Sequence, residues 1–175
     1  MQKLENCQLG RVSPQEFAEQ TKYPVVVLLE NVRSAMNVGS FFRTADAFAI
    51  ERIVLGGYTA TPPSKEIRKT ALGAEQTVEW LHVDSVASQL ILLKEQGYTA
   101  IAVEQVEGSV SLNDFAVDAN GKYALVFGNE VEGVEQTTVD LCDYAIEIPQ
   151  QGTKHSLNVS VAGGVVMWHF FKELL

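Results

Sequence analysis

The stretch Val25–Ser40, VVVLLENVRSAMNVGS, decides how the rest of the chain is read. Its first five residues form a continuous, largely β-branched apolar run. Such a run suits a strand buried on both faces, as in a parallel sheet covered by helices. It opens into a polar loop, Asn31–Ser40. That loop lies where open α/β sheets bind ligands, beyond the carboxyl end of a strand. A helix is predicted from about Val38 to Phe48, with Phe41, Ala45 and Phe48 on one face and Arg43 near its start.

Working outward, Arg52–Gly56, Thr77–Val83, Thr99–Val103, Tyr123–Phe127 and Ala145–Pro149 read as strands. Lys65–Thr70, Ser85–Gln96 and Val134–Leu141 read as helices, and Gly97 suits a helix stop. Pro62-Pro63 excludes regular structure from the segment Gly57–Ser64, and Glu104–Asp118 reads as a polar loop anchored by Leu112 and Phe115. Strands alternating with helices predict a single α/β domain, a mainly parallel sheet flanked by helices, over residues 23–175. Residues 1–22 form an N-terminal arm. Within it Ser13 and Glu16 have capping-box spacing and Pro14 suits the first helical position, so a short helix is expected over Pro14–Gln20. Tyr23-Pro24 closes the arm, because a residue before proline disfavours helix.

The last segment, Ala145–Leu175, reads AIEIPQQGTKHSLNVSVAGGVVMWHFFKELL. A short strand leads into a polar loop, Gln150–His155, and then a helix beginning near Ser156, which suits an N-cap. From Leu157 to Phe171 almost no polar face remains. A helix apolar all round is buried all round. One side is expected on the chain's own sheet and the other against a second subunit. Ala162, Gly163 and Gly164 would admit a close backbone; each helical glycine costs roughly 1 kcal/mol relative to alanine.

With 175 residues, 46 % hydrophobic and 20 % charged, the chain is globular and can bury a real core. No apolar stretch approaches the ~20 residues of a membrane span. No signal-peptide pattern is visible, so a cytoplasmic protein is expected. Cys7 and Cys142, with His82, His155 and His169, make no ligand-spaced cluster; no metal is expected, and both thiols are read as free or buried. A net charge of −9 argues against non-specific nucleic-acid binding over the whole surface. Yet Asn31–Gly73 holds six basic and three acidic residues, +3, leaving −12 elsewhere. That asymmetry is compatible with a polyanion docking on one face.

Three loops concentrate the unusual polar residues, at 31–43, 128–133 and 149–158. None is GxGxxG, GxxxxGK[ST] or GxSxG, which removes the common dinucleotide, P-loop and hydrolase-elbow chemistries. His155 and Ser156 are neighbours in sequence, a poor geometry for a hydrolytic triad. The segments NVRSAMNVGSFFRTAD (Asn31–Asp46), LVFGNEVEGV (Leu125–Val134) and EIPQQGTKHSLNVSVA (Glu147–Ala162) resemble, in order, the three motifs of the SpoU (TrmH-like) branch of the SPOUT methyltransferases. KTALGAE, Lys69–Glu75, is similar to the family's intermediate segment. The likeness runs from Val25 to Phe171.

The resemblance implies a C-terminal deep trefoil knot, a feature otherwise almost absent from proteins. It implies S-adenosylmethionine as cofactor, held by Val103, Gly128, Ile148 and Leu157, with Gly128 allowing close backbone approach to the ligand. It implies methyl transfer to a ribose 2′-hydroxyl of tRNA or rRNA by a homodimer joined through the C-terminal helix, without metal. Catalytic roles would fall on Arg43, Asn37, Glu130, Ser156 and Asn158. A guanidinium, with a pKa above ~12, is a poor base. Arg43 therefore reads as a clamp that orients the hydroxyl and stabilises developing alkoxide charge. Phosphate contacts are expected from Arg33, Lys65, Arg68, Lys69, Lys154 and His155. The alternative is a non-catalytic RNA-binding module on the same fold, which the complete motif set disfavours.

Overall fold

The computed structural model describes residues 2–5, 8–10 and 12–175. Helix α1, Pro14–Glu19, begins at a complete capping box between Ser13 and Glu16. Strand β1, Tyr23–Glu30, follows and takes in Tyr23-Pro24. Then come α2 (Ala35–Ala47), β2 (Ile50–Gly56), α3 (Lys65–Ala71), a 3-10 turn (Ala74–Gln76) and β3 (Glu79–Val83). The second half runs α4 (Val86–Glu95), β4 (Thr99–Val103), β5 (Val110–Ser111), β6 (Tyr123–Phe127), α5 (Gln136–Val139), β7 (Tyr144–Glu147) and α6 (Val159–Leu174). The short β5 lies inside the segment expected to be loop. Among the described residues no helix is long and apolar enough to cross a membrane.

The seven strands form one sheet in the order β3-β2-β1-β6-β4-β7-β5, with every pairing parallel. Val25 through Leu29 are fully buried, as the unbroken apolar run requires. Alternate residues feed two cores. Val25, Val27 and Leu29 join Phe41, Ile67, Val166 and Phe170, from α2, α3 and α6. Val26 and Leu28 join Val86, Leu90 and Leu93 of α4 on the opposite face. The chain winds β1 to β2 to β3 in one direction and then restarts with β4 beyond the place that β6 later fills. Reversals of this kind open a crevice at the carboxyl ends of the strands.

Two helix starts differ from the sequence reading, for the same reason. Helix α2 begins three residues before Val38, because the Ser34 side chain accepts the Asn37 N–H at 3.3 Å and caps it. Asn37 is thereby helical, and Arg43 falls in the later half of the helix. Helix α6 is capped by Asn158, not Ser156; its Oδ1 accepts from the Ser160 and Val161 amides. In both places several cap-forming residues stand close together, and the hydrogen bond selects among them.

Helix α6 buries Gly163, Val166, Met167 and Phe170. It is not buried all round: Val161, Val165 and Trp168 remain 54 %, 41 % and 50 % exposed in the single chain. Gly163 earns its place against α2, since an added Cβ would lie 2.2 Å from the Phe41 ring. At the far end Phe48 stacks on Phe171 at 4.9 Å and meets Trp168 at 5.7 Å. Cys142 is free, and burial pushes its thiol up to about 12, so it is no nucleophile near neutrality. Cys7 lies outside the described residues.

Helices α2 and α3 pack so closely that Gly39 has no room for a side chain. An added Cβ would sit 2.1 Å from Thr70 Oγ1 and 2.3 Å from the Ile67 carbonyl oxygen. Glycine to alanine inside a helix ordinarily gains about 1 kcal/mol. Here Gly39→Ala is expected to lose about 1–3 kcal/mol instead through overpacking. Urea unfolding checks the sign; an unchanged or higher midpoint contradicts this packing.

Candidate active site

Four loops leave the carboxyl ends of neighbouring strands: 31–34 after β1, 104–109 after β4, 128–135 after β6 and 148–158 after β7. Each is fastened to another by side chains acting on backbone amides. The Glu130 carboxylate accepts from the Arg33 N–H at 2.9 Å, the Ser34 N–H at 3.0 Å and Asn37 Nδ2 at 2.9 Å. Asn37 Oδ1 in turn accepts from Asn158 Nδ2 at 3.2 Å and Ser160 Oγ at 3.4 Å. One carboxylate thus joins all three sequence motifs through a chain of polar contacts.

Glu104, at the end of β4, accepts the Val134 N–H at 3.0 Å and the Gln105 N–H at 2.9 Å. Gln105 Nε2 then donates to the His155 carbonyl at 3.0 Å. Glu30, 4 % exposed at the end of β1, accepts from the Glu135 N–H at 2.8 Å and Thr138 Oγ1 at 2.6 Å. Its pKa is raised, chiefly by burial and further by the neighbouring Glu135 charge, against the lowering effect of those two hydrogen bonds. Asn31, held at φ 56°, takes the Tyr58 amide at 3.2 Å and donates to Glu135 at 2.8 Å. Sequence reasoning missed Glu30, Glu104, Gln105 and this role of Asn31. The one available signal was position: each stands at or just past the end of an apolar strand.

The 128–135 loop doubles back, with Asn129 and Gly133 exchanging backbone hydrogen bonds at 3.0 Å. A Cβ on Gly128 would lie 2.0–2.2 Å from the Gly133 backbone and the Val134 nitrogen. Within the chain, the close approach that Gly128 permits is to its own loop. Gly133, at φ 73°, leaves space that the Glu104 carboxylate fills.

Between the loops after β4, β6 and β7 lies a cavity of about 540 Å³. Val103, Gly128, Ile148 and Leu157 all line it. So do Glu130, Ser156, Asn158 and His155. Asn37 adjoins it through Glu130 and Asn158. Arg43 does not line it; it is exposed on α2. The basic residues divide into two groups. Arg33, in the loop after β1, and the α3 residues Lys65, Arg68 and Lys69 are exposed, and Lys69 is paired with Glu66 at 2.8 Å. Lys154 and His155 are exposed on the 148–158 loop. The cavity lining itself includes four carboxylates, Glu104, Glu130, Glu132 and Glu147, and neither lysine nor arginine. Among the described residues no cluster of three or more His, Cys, Asp or Glu could hold a metal ion.

An all-parallel sheet with a cavity over the ends of β4, β6 and β7 defines an α/β protein with room for a small molecule beside a topological switch. Comparison with known proteins narrows the class. The model of the SpoU rRNA Methylase family matches residues 24–168, and the chain belongs to that family. It is 29 % identical over 168 residues to the 23S rRNA (guanosine-2′-O-)-methyltransferase RlmB of Vibrio parahaemolyticus, covering 96 % of this chain and 67 % of that protein. The A. aeolicus TrmH/SpoU tRNA modifying enzyme matches with a TM-score of 0.81 at 28 % identity, over 91 % of this chain and 80 % of that one. An AdoMet-bound rRNA methyltransferase from Sinorhizobium meliloti matches with a TM-score of 0.80 at 26 % identity, over 94 % and 62 %.

Glu130 offers a direct test of the loop clasp. Burial pushes its pKa up, but the amides of Arg33, Glu130 itself and Ser34, with Asn37, together hold it below the ordinary value. A folded-state pKa below the unfolded one means the clasp is intact above the ordinary glutamate range. It is lost as pH falls through the depressed value. The Arg33 and Ser34 amide resonances should therefore titrate with a midpoint below the ordinary glutamate value; a midpoint at or above the ordinary value contradicts the clasp.

Proposed function

We propose that the chain is an S-adenosylmethionine-dependent RNA methyltransferase that modifies a ribose 2′-hydroxyl of tRNA or rRNA. The observation that carries this is the cavity: the loops of motifs two and three wall it, it is acidic, and Glu130 ties it to motif one. Its chemistry fits the cofactor. Ile148 and Leu157 offer apolar wall for an adenine, and the surrounding carboxylates favour a cationic sulfonium. When bound, the cofactor supplies an electrophilic methyl carbon on a positively charged sulfur. The protein's part is positioning and electrostatics.

Glu130 holds the loops that frame the cavity, with both oxygens engaged by donors, so it acts as an anchor rather than a base. Asn37 and Asn158 extend the anchor to the start of α6. Ser156, exposed at the cavity wall, is the residue we assign to the ribose. Arg43 clamps the hydroxyl or a neighbouring phosphate and stabilises alkoxide charge, while solvent or phosphate accepts the proton. Because Arg43 lies outside its own chain's cavity, we assign it to the cavity of a second copy. The apolar ridge Val161, Val165 and Trp168 on α6 supplies the surface on which two copies would join. The loop 148–158 is the segment we assign to the C-terminal knot. We assign the exposed Arg33, Lys65, Arg68 and Lys154 to phosphates, which position RNA without reading sequence.

Arg43→Ala should lower methyl transfer from labelled donor to total cellular RNA by about 100- to 1000-fold. Calorimetric affinity for S-adenosylhomocysteine should stay unchanged; equal incorporation by both proteins contradicts the assigned role. The ridge has a separate test. The wild-type chain should sediment as a dimer at micromolar concentration and Val165→Asp as a monomer without transferase activity. A monomeric wild type rules the shared site out.

A further inference from the structure

Tyr58 stands out at the edge of this site. Its side chain leaves the residue 62 % exposed, yet the turn beneath it is fixed at nearly every point. The Tyr58 amide donates to Asn31 Oδ1 at 3.2 Å, and the Gly57 amide to the Val83 carbonyl at 3.0 Å. Gly57 sits at φ 62°, where a Cβ would be 2.0 Å from Asn31 Oδ1. Thr59, 3 % exposed, donates through Oγ1 to the Leu29 carbonyl and accepts from the Val32 amide, both at 3.0 Å. The ring is held at its far end too: Asn129 Nδ2 lies 2.5 Å from the Tyr58 hydroxyl and also donates to the Asn31 carbonyl at 2.9 Å.

A large aromatic ring fixed at both ends and left in water is unusual for a residue serving only the core. It has already lost the rotamer freedom that a binding partner would otherwise have to remove. Asn129 lines the cavity, so the ring is one side chain away from it. The turn belongs to the Asn31–Gly73 segment, which carries a net charge of +3 in an otherwise acidic chain. Unpaired RNA bases are recognised largely by stacking on aromatic faces next to basic residues.

Resting on the RNA-methyltransferase reading above, we propose that Tyr58 is a stacking platform for an unpaired base of the substrate RNA, at or beside the nucleotide presented to the cavity. The ring holds the base, and the Asn129 hydrogen bond keeps the ring in place. The contact is sequence-tolerant, because every base offers a π-face.

The test uses the full chain, with S-adenosylhomocysteine bound, and a short single-stranded oligoribonucleotide carrying one 2-aminopurine. Wild type and Tyr58→Phe should both quench the 2-aminopurine fluorescence on binding. Tyr58→Ala should abolish the quench and bind about 5- to 100-fold more weakly. Calorimetry with S-adenosylhomocysteine should be the same for all three proteins. Equal quenching by Tyr58→Ala overturns the platform. So does a loss in Tyr58→Phe as large as in Tyr58→Ala, which would place the effect in the hydroxyl. Loss of S-adenosylhomocysteine binding by Tyr58→Ala also overturns it, since the residue would then act through the Asn129 loop. If wild type binds S-adenosylhomocysteine but neither the oligonucleotide nor total cellular RNA, the RNA-methyltransferase reading itself fails, and the platform with it.

Discussion

A single ionised side chain, Glu130, holds the working end of this molecule together. It receives two backbone amides from the loop after β1 and an amide group from Asn37, and through Asn37 it reaches the first turn of α6. Hydrogen bonds to a charged acceptor are roughly twice as strong as neutral ones, and this acceptor takes three. Glu104 and Glu30 repeat the device on either side, each gripping an amide of the 128–135 loop from a neighbouring strand end. The loops need such fastening because, beyond the single bridge between Asn129 and Gly133, they carry little backbone pairing of their own. Glu130 and Glu104 serve twice here. They order the backbone, and they leave a cavity whose potential favours a cation.

The acidic cavity and the basic sector divide the labour that the −9 net charge conceals. A polyanion is repelled by most of this surface, so under the proposed function contact is assigned to the exposed basic residues Arg33, Lys65, Arg68 and Lys154. Such confinement narrows the orientations in which RNA can approach. It suits a reaction that asks for alignment of one hydroxyl more than for covalent chemistry.

Much of the fold was legible because its signals are local. Val25–Leu29 lacks alternation, and the structure buries it on both faces against separate cores. The helix starts were less legible: Ser34 and Asn158 cap through bonds that compete with Ser156 and other polar neighbours only a few residues away. The insertion of β6 between β1 and β4 follows from no local pattern, since parallel neighbours need not be consecutive. Around the cavity, Val103, Gly128, Ile148 and Leu157 could be nominated only through family motifs; from sequence alone Ile148 and Leu157 read as plain core, whereas Leu157 is 40 % exposed. Glu104 and Glu30 belong to no motif, and their partners lie 30 and 105 or more positions away. A contact of that range is invisible until the sheet has brought the two strand ends together.

The account turns on where the methyl donor sits. A crystal structure of the chain with S-adenosylhomocysteine tests this most directly. The ligand should lie over the ends of β4, β6 and β7, against Gly128, Ile148 and Leu157, with the Glu130 contacts to Arg33 and Ser34 intact. A ligand bound elsewhere, or a cavity that stays empty at saturating concentration, contradicts it.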